Sequence, residues 1–229
     1  MCQKFKTSVI PNGAKRNEES VKMKNIPCIF FDLDGTLFDS RERLYQLFSY
    51  LVPENTFSFD AYWKIKREQK GHDYILKEYY NYSQKAIIDF EQKWLSEIEQ
   101  PQWLQFDKPF IWVDDFLKYL HPNYHLYILT SRQSEKAVIA QLSQYTWSNL
   151  LTDVLVTKQQ FDKSDLIASF LMDKRKSWMV GDTGKDIQTG QKIGIKTAGV
   201  LTGFRNLESL QKYNPDVIVE SANELRPLL

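Results

Sequence analysis

From about Pro109 onward, short apolar runs and helical stretches take turns along the chain, and this alternation constrains the fold more than any other feature. Residues 125–129 (HLYIL), 153–157 (DVLVT), 177–180 (SWMV), 195–200 and 216–219 (DVIV) read as strands. Residues 110–120, 134–145, 164–172 and 186–193 read as helices between them. Successive parallel strands need a crossover, usually a helix, so the pattern predicts a parallel sheet with helices on both faces. A further strand lies upstream in PCIFFDLDGTLFDS, where Ile29, Phe30 and Phe31 run into Asp32 and Asp34 before a Gly-Thr turn.

Between these two parts the character changes. Leu44, Leu47, Phe48 and Leu51 recur at helical spacing, and Asp39 or Ser40 is placed to cap that helix. Residues 61–70, 73–80 and 83–99 continue helically, rich in aromatic and charged side chains, with no strand alternation. The expected organisation is therefore an α/β chain with a Rossmann-like core at 26–40 and 108–229 and an inserted all-helical cap at 41–107. Residues 1–25 are expected to be a flexible extension.

Composition narrows the function classes. Hydrophobic residues make up 42% and charged residues 26%, the balance of an ordinary globular protein, and no apolar stretch is long enough to span a membrane. The formal charge of +1 divides into about +4 over residues 1–26, with six basic and two acidic side chains, and about −3 for the rest. A mildly acidic body argues against nucleic acid as partner. With no signal-like apolar run at the start and only Cys2 and Cys28, the expectation is a cytoplasmic protein, monomer or homodimer, with Cys28 a small core residue.

Four signals fall at strand ends, on what must be one edge of the sheet, where open α/β sheets bind ligands. Asp32 is a carboxylate that can attack phosphorus, and Asp34 one that can pass a proton to the leaving oxygen and take one from water. Thr130 follows HLYIL, and its hydroxyl with neighbouring amides could hold a phosphoryl oxygen. Lys163 opens the helix after DVLVT and could balance the carboxylates. GDTGKD follows SWMV, giving Asp182 and Asp186 as oxygen donors of the kind magnesium prefers. Each signal has a plain alternative as a turn or cap residue; their coincidence at one edge does not.

With these motifs the chain resembles the haloacid dehalogenase superfamily, and within it the phosphoglycolate-phosphatase-like members that carry a helical cap. Asp32-Leu33-Asp34-Gly35-Thr36 matches the first motif, Thr130 the second, Lys163 the third, and Gly181-Asp182 with Asp186 the fourth. The resemblance implies Mg2+ held by Asp32, the Asp34 backbone carbonyl and Asp182, with Asp186 as ligand or close behind. It also implies Asp32 as nucleophile and Asp34 as general acid/base. Thr130, Ser131, Arg132 and Lys163 become the expected phosphate contacts, and a small phosphorylated metabolite, phosphoglycolate-like, the expected substrate. Ser164 follows Lys163 where close phosphoglycolate phosphatases often have proline, and Lys158 is the fallback for the third motif.

In the helical segment Arg67, Lys70 and His72, around a turn at Gly71, are candidates to meet an anionic substrate, and His121 and His125 are expected to be structural. The competing expectations are a sugar-phosphate mutase on the same scaffold and a phosphoacceptor or binding module. A receiver-like module carries its phosphoacceptor after the third strand and has no helical insert, so the motif order speaks against the last.

Overall fold

The computed structural model describes residues 26–68, 70–170 and 172–229; the basic leader, expected to be flexible, lies outside the described residues. The core strands are β1 (Cys28–Phe31), β4 (His125–Thr130), β5 (Asp153–Val156), β6 (Trp178–Gly181), β7 (Lys196–Val200) and β8 (Val217–Val219). They form one six-stranded sheet in the order β5-β4-β1-β6-β7-β8, every pairing parallel. The order reverses its direction of growth at β1, so the crevice between the carboxyl ends of β1 and its neighbours is the topological switch point.

The two-residue period of β1 divides the core. Ile29 and Phe31 face one apolar cluster with Leu126, Ile128, Val180 and Val200, and Cys28 and Phe30 face another with Tyr127, Leu129 and Met179. Both sides of this strand are buried, as a continuous apolar run in a parallel sheet requires. Burial pushes the Cys28 thiol up to about 11, which fits a core residue and not a nucleophile.

The chain leaves the sheet through β2 (Phe38–Asp39) and returns through β3 (Lys108–Pro109), which pair antiparallel with Phe38 opposite Pro109. Neither short strand is visible as an alternation in the sequence. Between them lie α1 (Arg41–Leu51), α2 (Phe59–Arg67), α3 (His72–Tyr80), α4 (Gln84–Glu97) and the short α5 (Pro101–Leu104). Their apolar faces enclose a separate cluster built on Phe48, Val52, Tyr62, Trp63, Ile75, Leu76, Ile87 and Phe90. Phe204, from the loop after β7, also packs on this cluster and stacks on Trp63 with ring centroids 5.6 Å apart.

The remaining helices are α6 (Val113–Leu120), α7 (Glu135–Leu142), α8 (Lys163–Ile167), α9 (Gly184–Ile193) and α10 (Leu207–Gln211), with 3-10 turns at Thr146–Leu150 and Ala222–Leu228. The first of these starts later than the apolar pattern predicts, because Phe110 donates its N–H to Leu37 in the β2–β3 neck. The α8 helix ends earlier, at Ile167, with a turn closed by the Phe170 N–H. No helix among the described residues is long and apolar enough to cross a membrane.

Candidate active site

Strand register alone assembles the edge. Phe31 pairs with Ile128 on one side and Val180 on the other, and Asp32 extends the ladder by donating its N–H to Val180 O at 2.8 Å. Asp32 is thus level with Leu129 and Gly181, and Thr130 and Asp182 stand one residue beyond on the flanking strands. The β5 strand ends opposite Thr130, and the chain then turns through 157–162 to start α8 at Lys163.

Asp32, Asp182 and Asp186 each bring a carboxylate oxygen to within 4.8 Å of the other two, all three side chains buried. Lys163 Nζ donates to Asp32 Oδ1 at 2.5 Å and to Asp186 Oδ1 at 2.6 Å. Three buried carboxylates thus lie beside one ammonium, which bonds two of them. Burial pushes Asp32 up to about 7 even with Lys163 opposing the rise, and holds Asp182 well above the usual carboxylate range, with Asp32 and Asp186 adding repulsion. Burial alone would lower Lys163; the charges of Asp186 and Asp32 instead keep it above the ordinary lysine value.

The oxygens are unequally engaged. Both Asp186 oxygens are used, Oδ1 by Lys163 and Oδ2 by the N–H and hydroxyl of Thr183 at the start of α9. Asp182 Oδ2 accepts the Phe204 N–H at 2.6 Å, whereas its Oδ1 is buried with no hydrogen-bond partner among the described residues. Gly35, at φ 84°, and Gly203 permit this: a Cβ would stand 2.7 Å and 2.0 Å respectively from Asp182 Oδ2. An orphaned carboxylate oxygen beside other oxygen donors and surplus negative charge is the environment a hard divalent cation relieves. The residues present fit such an ion.

Asp34 turns the other way. Its Oδ1 accepts from Ser40 Oγ, Arg43 and Arg132, and its Oδ2 accepts from Arg132 Nε at 2.8 Å. Burial would raise this carboxyl, but the guanidinium groups of Arg132 and Arg43 more than offset it and hold Asp34 well below the usual range. Arg132 also donates to Asp107 at 2.8 Å and Gln141 at 2.6 Å, and Arg43 Nε lies 3.0 Å from Asp107. Arg43, on the first helix of the insert, and Asp107, on its return, thereby tie both crossings of the neck to the site.

Residues 29–200 match the family model for haloacid dehalogenase-like hydrolases. The chain belongs to this family. It is 26% identical over 216 residues to pyrophosphatase PpaX of Bacillus velezensis, covering 88% of this chain and 95% of that protein. It is 24% identical over 226 residues to phosphoglycolate phosphatase of Aliivibrio fischeri, covering 90% and 97%. Among solved structures, a haloacid dehalogenase-like hydrolase from Streptococcus pneumoniae superposes with a TM-score of 0.71 at 22% identity, over 89% of this chain and 98% of that one. That likeness shows the fold.

In this haloacid dehalogenase-like hydrolase, Asp32, Asp34, Thr130, Ser131, Arg132 and Lys163 all line one cavity of about 480 Å³. Asp182 and Asp186 are buried beside Asp32. Lys158 lies apart, paired with Glu135 at 2.8 Å, so Lys163 is the lysine of the cluster. Thr130 is buried, and its hydroxyl accepts the Arg132 N–H at 3.3 Å. Arg132 spends four of its five N–H groups on Asp34, Asp107 and Gln141, so it braces the site more than it offers donors to a ligand.

One expectation holds in position but not in bonding, and another needs correcting. Ser40 stands at the N-cap of α1, but its hydroxyl donates to Asp34, and Asp39 accepts the Arg41 N–H in its place. His72 is no cation for a substrate: its Nε2 is 2.9 Å from the Tyr62 hydroxyl, and burial holds it well below the usual histidine value. Arg67 reaches toward Leu201 O at 3.5 Å and does not line this cavity. His121 and His125 contact Leu150 O and Thr152, away from the aspartates.

Proposed function

We propose that this hydrolase is a magnesium-dependent phosphatase that removes the phosphoryl group of a small phosphorylated metabolite through an aspartyl-phosphate on Asp32. The observation that carries the reading is the cluster of Asp32, Asp182 and Asp186 with Lys163, of which Asp32 and Lys163 line a cavity large enough for a metabolite. Magnesium, held by Asp32, the Asp34 backbone carbonyl and Asp182 with Asp186 behind them, would neutralise the surplus carboxylate charge and polarise the phosphoryl oxygens.

Lys163 occupies Asp32 Oδ1, which leaves Oδ2 for phosphorus. As the Asp32 oxygen–phosphorus bond forms, the bond to the leaving oxygen breaks and its electron pair departs with that oxygen. Thr130 and Ser131 line the cavity where the transferring group would sit, and the Thr130 hydroxyl is a group there that can donate to its oxygens. In the second half water attacks phosphorus, Asp34 takes its proton, and the Asp32 carboxylate is regenerated as phosphate leaves. Protonating a basic leaving oxygen requires Asp34 to exchange a guanidinium contact for a proton. Arg43 rides on α1, so movement of the helical segment, acting as a cap, frees Asp34 for that task.

The test is phosphate release from an aryl phosphate with magnesium present. Asp32→Asn should reduce turnover by at least about three orders of magnitude. Turnover retained at the parental level would exclude the nucleophile and the reading with it.

A further inference from the structure

Beside the cavity that holds Asp32 lies a second one of about 280 Å³, lined among others by Lys66, Lys70, Trp63, Trp94 and Arg205. The two share Leu44, Trp94, Phe204 and Arg205 as common wall, whereas Lys66 and Lys70 belong to the second alone. Lys66 comes from α2 in the insert and Arg205 from the loop after β7. The Trp63–Phe204 stack beside them joins those same two elements, with its planes 11° apart.

These cations are not there to serve the protein's own carboxylates. Among the described residues neither Lys66 nor Arg205 makes an ion pair within 4.0 Å, and Lys70 lies over the Tyr74 ring at 4.3 Å. Asp73, exposed at the start of α3, is the acidic group that favours the Lys66 charge. Burial first, and Arg205 next, push Lys66 down to about 8, so its charge is held at a cost that an anion would offset. His72, neutral and bonded to Tyr62, supplies wall and not charge.

We propose that this second chamber binds an anionic group at the far end of the leaving group, between Lys66 and Arg205. The substrate then carries two separated anionic groups, joined by a segment long enough to pass the shared wall of Trp94 and Phe204. The inference rests on the phosphatase reading, and it narrows the substrate class. Compounds whose two anionic groups are adjacent, such as phosphoglycolate or pyrophosphate, fill the first cavity without reaching Lys66. A carboxylate and a phosphate are the two forms the distal group can take.

The experiment measures inhibition of aryl phosphate turnover by matched ligands. Glucose 1,6-bisphosphate offers a distal phosphate, 6-phosphogluconate a distal carboxylate, and glucose 6-phosphate neither. At least one two-ended ligand should bind the parental protein about tenfold or more tighter than glucose 6-phosphate, and which one does identifies the group. Lys66→Met should bring that ratio toward one, Lys66→Arg should restore it, and phosphoglycolate should lose no more than about twofold in Lys66→Met. Equal affinities in the parental protein overturn the proposal whether or not the variant folds. A preference that survives Lys66→Met overturns it as well. Absence of aryl phosphate turnover would instead count against the phosphatase reading, so the two failures are separable.

Discussion

The carboxyl edge of the sheet and the interior of the helical insert are built from opposite materials. The edge collects charge, with Lys163 among Asp32, Asp182 and Asp186, and Arg43 and Arg132 between Asp34 and Asp107. The insert collects rings, with Phe48, Tyr62, Phe90 and Trp94 packed around His72 at centroid distances of 4.2 to 6.3 Å. Ladder hydrogen bonds hold the strands, so Asp32, Thr130 and Asp182 stand at positions set by register. Ring-on-ring packing holds the insert and the one loop that reaches it, through contacts that tolerate offset and tilt. Groups needed at fixed distances sit at the strand ends, and the surface that the proposed leaving group would meet is set by the packing of rings.

Arg43 is where this division breaks down, because it belongs to the insert by sequence and to the edge by contact. Arg43→Met leaves Asp34 and Asp107 sharing the single guanidinium of Arg132, all in a buried setting. Loss of one partner from such a network costs about 3–5 kcal/mol, readable as a lower urea midpoint with an unchanged slope. A loss below about 1 kcal/mol would mean that solvent or rearrangement supplies what Arg43 does now, and that insert and edge are separate after all.

The same contrast explains what could be read from the sequence. Asp32, Thr130 and Asp182 were legible because each closes an apolar run, and parallel pairing then leaves no freedom about which edge they share. Lys163 was legible by its position after DVLVT, and the turn at 157–162, where Lys158 and Gln159 adopt positive φ, leaves the fallback Lys158 paired with Glu135 instead. Arg43 was hidden beside Leu44 and Leu47, although its spacing of four from Leu47 puts it on the buried face. Its partner Asp107 has no periodic context, and no pattern in the sequence joins them. Arg205 and Phe204 lie in a loop whose meeting with α2 is purely tertiary. The fate of the Asp34 carboxylate, clamped instead of free, followed from those unseen partners.

A smaller effect sharpens the description of the edge. If the orphaned Asp182 oxygen and its neighbours receive magnesium, the folded state gains about 2.7 kcal/mol when the ion stands a hundredfold above its Kd. For a chain of this size that is a rise of roughly 5–10 °C in Tm, seen by differential scanning fluorimetry without any substrate. Asp182→Asn should abolish the rise, whereas the insert, which contributes none of the clustered carboxylates, should be indifferent to the ion. An equal rise in the variant would assign the ion to another place.

The smallest effect belongs to the insert, and its sign follows from His72. Burial, with Lys66 adding repulsion, holds this imidazole well below its ordinary value of about 6.5, so the folded protein keeps it neutral where the unfolded chain would protonate it. The unfolded state therefore binds more protons below about pH 6.5, and stability must fall as pH drops through that point. Above it, this contribution is fully present. The limiting slope is about 1.4 kcal/mol per pH unit for one such group, and the side chain's partial opening to solvent makes the real value smaller. His72→Gln keeps an acceptor for the Tyr62 hydroxyl and removes the titration. Comparing urea stability at about pH 7.5 and about pH 5.5 for both proteins isolates the term, since the other acids titrate alike in each. The parental protein should lose up to about 1 kcal/mol more than the variant over that interval. Equal losses would mean that the imidazole protonates within the ring cluster without penalty, and the insert would then be no drier than the edge it covers.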